Sequence, residues 1–211
     1  MPAKISFKDF IMEFIAFEKG IHVNGRTIYS VIDGFGAFKS SALRILKEAG
    51  IGETNSQGQY TLTLNKWYSQ EAWLRAFKTI AEKLGAGHLK AIGYKIPQNA
   101  EFPPWVVDIH SAIKSINIAY HLNHSRNGSE PMFNPENGSM QEGIGHYGYD
   151  GVDGQKRIVS VCANPYPSAF DHGILESMAT KFEPTAKVIL DESKPMRSKG
   201  ADSDTFIVTW M

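Results

Sequence analysis

The stretch "HGILESMATKFEPTAKVIL", residues 172–190, contains the change of period that decides the fold. Ile174, Leu175, Met178, Ala179 and Phe182 recur at helical spacing and form one apolar stripe. Beyond Pro184 the pattern shortens to "AKVILDE", which reads as a strand. Upstream, "NPYP" (164–167) is a rigid turn, because its two prolines fix φ and restrict Asn164 and Tyr166 before them. Ser168 then reads as the N-cap of the helix, with Asp171 in the capping-box position near the positive helix end. Asp171 and His172 are neighbours on that helix and point in different directions, so they do not form an orienting pair for catalysis.

Outward from this helix, "GIGHYGYD" and "KRIVSVCAN" flank the turn "GVDGQ" as a β-hairpin, and "DTFIVTW" supplies a last strand after "SKPMRSKGADS". Residues 143–211 therefore read as ββαββ, and 125–142, rich in Asn, Gly, Ser and Pro, as an exposed loop. Residues 1–124 are mainly helical in pattern. "FKDFIMEFIAFEKG" (7–20), "KSSALRILKEAG" (39–50), "SQEAWLRAFKTIAEKLG" (69–85), "HLKAIGYKI" (88–96) and the long segment from Trp105 each carry helical spacing or helix stops. "TIYSVIDGFGAF" (27–38) is open between a loop and a short helix. The expectation is one α+β domain over 1–211, its helical N-terminal half packed on a four-stranded antiparallel sheet.

Composition narrows the function classes. The chain has 211 residues, 42% hydrophobic and 21% charged, enough to bury a core without staples. Lys plus Arg and Asp plus Glu are 22 each, so no basic excess points to direct nucleic-acid binding. Zero net charge tolerates self-association, which favours a homodimer. No stretch approaches the roughly 18–20 apolar residues that span a bilayer, so no membrane partner is expected. The single cysteine, Cys162, and a start without a basic-then-apolar pattern suit a reducing, cytoplasmic setting.

The chemistry-bearing residues fall into two groups. His121 and His124 share a helix face, and His146 on the first strand can supply a third nitrogen, a set suited to zinc or another divalent metal. The same His pair lies at a helix C-terminus, where imidazoles also bond free carbonyls. Trp105, Tyr120, Tyr147 and Tyr166 can line an apolar pocket with a few polar tips, the form of a small apolar or aromatic ligand site. Arg197 can meet an anionic group of such a ligand, or stand as an exposed loop charge. Cys162 sits in an apolar strand, where a thiol usually acts as a small hydrophobe. No Gly-x-Ser-x-Gly elbow or P-loop occurs, and no catalytic residue is assigned.

Helices followed by a hairpin, a helix and a second hairpin, with "HGILESMATKFEPTAKVIL" and "RSKGADSDTFIVTW" as the most telling parts, resemble the 4-vinyl reductase domain over about residues 143–210. That family shares a ligand-binding superfamily with haem nitric-oxide sensors and vesicle-transport complex subunits. Where some members carry thiols this chain has Met196, Arg197, Gly200, Asp202 and Asp204, which counts against a thiol zinc site. The resemblance also raises haem, with His110 standing somewhat like the iron-ligating histidine of those sensors. Their Tyr-x-Ser-x-Arg propionate clamp is reduced here to Ser125 and Arg126. The resemblance implies a sensory or carrier domain that acts by ligand-dependent conformational change or dimerisation. A metal-dependent enzyme and a ligand-free assembly subunit are the competing classes.

Overall fold

Two glycines set a close contact between helices. Helix α4 (Ala86–Gln98) crosses helix α6 (Ser168–Phe182), and a Cβ at Gly93 would stand 2.1 Å from the Phe170 carbonyl oxygen. A Cβ at Gly173 would stand 2.1 Å from the Lys90 carbonyl oxygen. Only glycine at both positions lets the two backbones touch. The structure, a computed structural model, describes residues 13–35 and 39–211.

Helix α6 is sandwiched rather than half-exposed. Phe170, Asp171, Gly173, Ile174, Leu175, Ser177, Met178 and Ala179 are all buried, so the expected stripe widens to most of the surface. One side meets α4 and α5 (Ile109–Leu122); the other lies on an antiparallel sheet. That sheet holds β6 (His146–Tyr147), β7 (Asp150–Gly151), β8 (Arg157–Ala163), β9 (Lys187–Leu190) and β10 (Asp204–Thr209). Its order is β6-β8-β10-β9, with β7 also on β8. Tyr147 faces Cys162 and Asp150 faces Val159, so β6 and β7 are one expected strand kept in register across a break at Gly148 and Tyr149. Ile158, Ser160 and Cys162 of β8 point inward, opposite Val208, Phe206 and Asp204 of β10.

The N-terminal half is less purely helical than its pattern suggests. A three-stranded sheet of β4 (Trp67–Ser69), β1 (Ile21–Asn24) and β5 (His124–Arg126) ties its ends together. Around it lie α1 (Gly25–Gly34), α2 (Lys39–Glu48), the small ladder β2 (Glu53–Thr54) with β3 (Tyr60–Thr61), and α3 (Gln70–Leu84). Ser69 caps α3 as expected, accepting from the Ala72 amide at 3.3 Å. Asp108 and Ser111 build a capping box that starts α5 four residues after Trp105. One contiguous cluster of buried hydrophobic side chains runs through both halves.

Four expectations are corrected. Residues 13–20 form turns rather than the end of a helix, while Phe7, Phe10 and Ile11 lie outside the described residues. The 125–142 segment is not wholly exposed. Ser125 and Met132 are fully buried, because β5 pairs with β1 and the Met132 amide donates to the His121 and His124 carbonyls. Pro167, not Ser168, occupies the N-cap of α6, and the Ser168 amide donates to Glu13 Oε1 at 2.8 Å. Arg197 lies in a single 3-10 turn (Arg197–Lys199) and is fully buried, not an exposed loop charge.

Candidate ligand-binding cavity

A cavity of about 120 Å³ lies among α1, α3, α4, α5 and α6, beside the start of β5 and the end of β6. Its walls are largely apolar, with Val31, Trp73, Ile116, Phe170, Ile174 and Met178 among the lining side chains. Tyr120, Tyr147 and Tyr166, three of the sequence-predicted ligand residues, meet here, with Tyr120 5.3 Å from Tyr147 and 6.1 Å from Tyr166 between ring centroids. Edge-to-face packing of Phe77 against Trp73, Tyr166 and Phe170 fixes the rings behind the wall. The rigid Pro165–Pro167 frame holds Tyr166 between the sheet and α6.

The hydroxyls of all three tyrosines are engaged by partners within the protein. The Tyr120 hydroxyl donates to the Ile144 carbonyl at 2.7 Å, Tyr147 donates to Asp171, and Tyr166 bonds His124 Nε2 at 2.8 Å. Burial raises the pKa of each phenol, so all three stay protonated. His124 Nδ1 lies 2.7 Å from the Tyr120 carbonyl, which can only accept, so Nδ1 carries the proton and Nε2 accepts from Tyr166. Burial lowers the His124 pKa to about 4 and keeps the ring neutral.

Behind Tyr147 and Tyr166 lies a buried ionic lattice. Arg197 Nη2 donates to Asp171 Oδ2 at 2.6 Å and Nε to Asp204 Oδ2 at 2.7 Å. Nη1 reaches the Tyr166 carbonyl at 2.7 Å and the Asn164 carbonyl. Burial opposes the cation, but the two carboxylates more than offset it and hold Arg197 charged. Burial pushes the Asp171 carboxyl up, against the pull of Arg197, Tyr147 and Asn164. Asp171 thus anchors this lattice rather than capping its helix, while the His172 ring turns to Phe206 at 5.6 Å. Arg197 does not line the cavity; it acts on it through two tyrosines.

The remaining sequence candidates separate. Trp105 is 46% exposed and lines an outer groove rather than the cavity. His121 and His146 stack at 5.1 Å between ring centroids, but His124 is spent on Tyr120 and Tyr166. His121 Nδ1 bonds the Asn117 carbonyl at 2.8 Å, and His146 Nε2 bonds Glu142 at 2.8 Å. No group of three or more His, Cys, Asp or Glu side chains fit to hold a metal ion occurs among the described residues. His110 bonds the Tyr149 hydroxyl at 2.7 Å and packs on Trp210, away from the cavity. Cys162 is fully buried, and burial pushes its thiol well above the usual range, as expected of a packing residue. Sequence reasoning missed Val31, Ile116, Ile174 and Met178, because an apolar wall residue carries the same signal as an apolar core residue.

No protein-family model and no curated protein sequence matches the chain. Several solved structures share its fold. An H-NOX protein from S. oneidensis, in the Fe(II) ligation state, is similar at 16% identity and TM-score 0.56, over 89% of this chain and 96% of that one. The Fe(II) unliganded H-NOX protein from K. algicida is similar at 14% identity and TM-score 0.55, with the same coverage. A structure from a study of haem distortion in the H-NOX family gives 15% identity and TM-score 0.54, over 88% and 92%. At these identities the likeness is one of fold: the chain has the α+β architecture of H-NOX proteins.

Proposed function

We propose that this protein is a small-molecule-binding sensory or carrier domain, resembling 4-vinyl reductase domains, that holds a compact apolar or aromatic ligand in the cavity. It acts by ligand-dependent conformational change or dimerisation. The observation that carries this reading is an apolar cavity whose surrounding phenols and imidazole are already satisfied within the protein. Such a space stays dry and takes an apolar guest; a cavity of roughly 150 Å³ with similar walls suffices for benzene. A guest pressing on Tyr147 and Tyr166 acts on Asp171 and Arg197, and so on the turn at 197–199 between β9 and β10.

Haem, raised by the fold, does not fit these residues. Sites for drug-sized ligands run to roughly 300–1,000 Å³; the inner cavity holds about 120 Å³, so a macrocycle would have to lie across the wall residues it shares with the adjoining groove. Among the described residues His124 is the one histidine on the wall, and both its nitrogens are engaged. Among the described residues no cationic side chain lines the cavity, and the one cation of the adjoining groove, Arg26, is held by Asn65 Oδ1.

The test is thermal unfolding with toluene. At ten times its Kd a ligand adds about 1.4 kcal/mol, a Tm rise of roughly 3–6 °C for a chain of this length. Ile174→Trp fills the cavity and removes that rise. No response to toluene, or an equal response in the filled variant, refutes the reading. Recovery of stoichiometric haem from hemin-supplemented cells refutes its non-haem part.

A further inference from the structure

A groove of about 480 Å³ opens outside the cavity, between α1, the α4–α5 connection and α5. The two spaces share six wall residues: Thr27, Ile96, Ala100, Phe102, Ala119 and Asn123. A single layer of side chains therefore separates them. Across that layer the Thr27 hydroxyl donates to Asn123 Oδ1 at 2.8 Å, bridging α1 to α5. Ala100 and Ala119 are exposed and small, and Phe102, half-buried, is held at the partition by Phe182 at 6.3 Å and Lys181 at 4.8 Å.

The groove differs in chemistry from the cavity behind it. Arg26, Asn99 and Glu101 stand exposed on its rim with the indole of Trp105, while Ile118 and Leu122 give an apolar floor. Arg26 is held by the neutral Asn65 carbonyl oxygen at 3.1 and 3.2 Å. Among the described residues one guanidinium and one carboxylate leave the rim with no net charge. We propose that the groove is the outer half of the same ligand site, so that the ligand is an uncharged amphiphile. A ring-sized apolar head occupies the cavity, and a short chain ending in a neutral hydrogen-bonding group lies along the groove, over Trp105. The inference rests on the cavity being the ligand site. It adds the class of ligand, the path of entry through the Thr27–Asn123 bridge, and a role for Trp105.

Calorimetric titration of the full chain with toluene, 4-phenylbutan-1-ol, 4-phenylbutyrate and 4-phenylbutylamine tests it. A fully buried methylene is worth about fourfold in affinity; in an open groove half that free energy gives about twofold, and three added methylenes about eightfold, close to a decade. The alcohol is expected to bind about tenfold tighter than toluene, and tighter than either ionised analogue. Trp105→Ala, at an exposed position, is expected to lower the alcohol-to-toluene ratio to about threefold or less. An alcohol no tighter than toluene, or a ratio unchanged by Trp105→Ala, overturns the groove. A tenfold preference for the acid or the amine overturns the neutral end. If toluene and the alcohol both fail to bind, the cavity reading itself falls, and this inference with it.

Discussion

Replacing Arg197 by methionine keeps most of the side-chain volume but removes the one cation between Asp171 and Asp204. Arg197 is wholly buried, and its contacts of 2.6 and 2.7 Å to the two carboxylates have no solvent to substitute for them. Breaking a buried pair from one side costs about 3–5 kcal/mol, because the partner charge is left without compensation. For a chain of this length that is a Tm lower by roughly 6–20 °C. Urea unfolding followed by circular dichroism at pH 7 measures it. The double variant Arg197→Met/Asp171→Asn separates charge from packing. An asparagine still accepts from Tyr147 and no longer strands an anion, so it should recover about 1 kcal/mol or more of the loss. A loss below about 1 kcal/mol in the single variant, or a further loss in the double one, would refute the view of Arg197 as the keystone of the tyrosine wall.

Two other outcomes follow from the same geometry. His124 titrates at about 4 when folded and near 6.5 when unfolded, so below pH 6.5 the unfolded chain takes up a proton that the folded one refuses. Stability should therefore fall as pH drops from about 6.5 to 4, by about 2–3 kcal/mol at pH 4.5 from His124 alone; urea midpoints of wild type and His124→Gln across that range should diverge, and parallel curves would contradict the assignment. Gly173→Ala places a Cβ against the Lys90 carbonyl at 2.1 Å and the Tyr94 amide nitrogen at 2.7 Å, both backbone atoms that cannot swing aside. Despite alanine's better helix propensity, the variant should lose at least about 2 kcal/mol in the same assay, and a gain in stability would show that α4 and α6 do not meet as described.

Much of the fold was legible in the chain because local period and local stops carry it. The stripe of α6, the Ser69 cap with Gly85 beyond α3, and the alternation of β8 and β10 are written within a few residues of where they act. The sheet of β4, β1 and β5 was not legible. Ile21–Asn24 is four residues long, and its identity as a strand comes from partners far along the chain. The same holds for the site. Tyr120, Tyr147 and Tyr166 were recognisable as aromatic tips able to line a pocket, and they do meet. His124 and Arg197, for which the sequence suggested metal and ligand roles, are engaged by Tyr120, Tyr166, Asp171 and Asp204, partners distant in sequence or unreadable from it.

The amino-acid sequence by itself determined the α+β class, the order of the C-terminal elements, and the stock of aromatic and apolar residues from which a pocket can be built. The tertiary structure alone decided that a pocket exists, which side chains face it, and which polar groups are already spent. The physical reason is that helix and strand propensity are read from neighbours in sequence, whereas burial, hydrogen-bond satisfaction and charge pairing are properties of neighbours in space. Arg197 shows the difference most plainly: in sequence it is a loop arginine, and in the fold it is the buried cation that holds Asp171, Asp204 and the turn carrying Tyr166 in place.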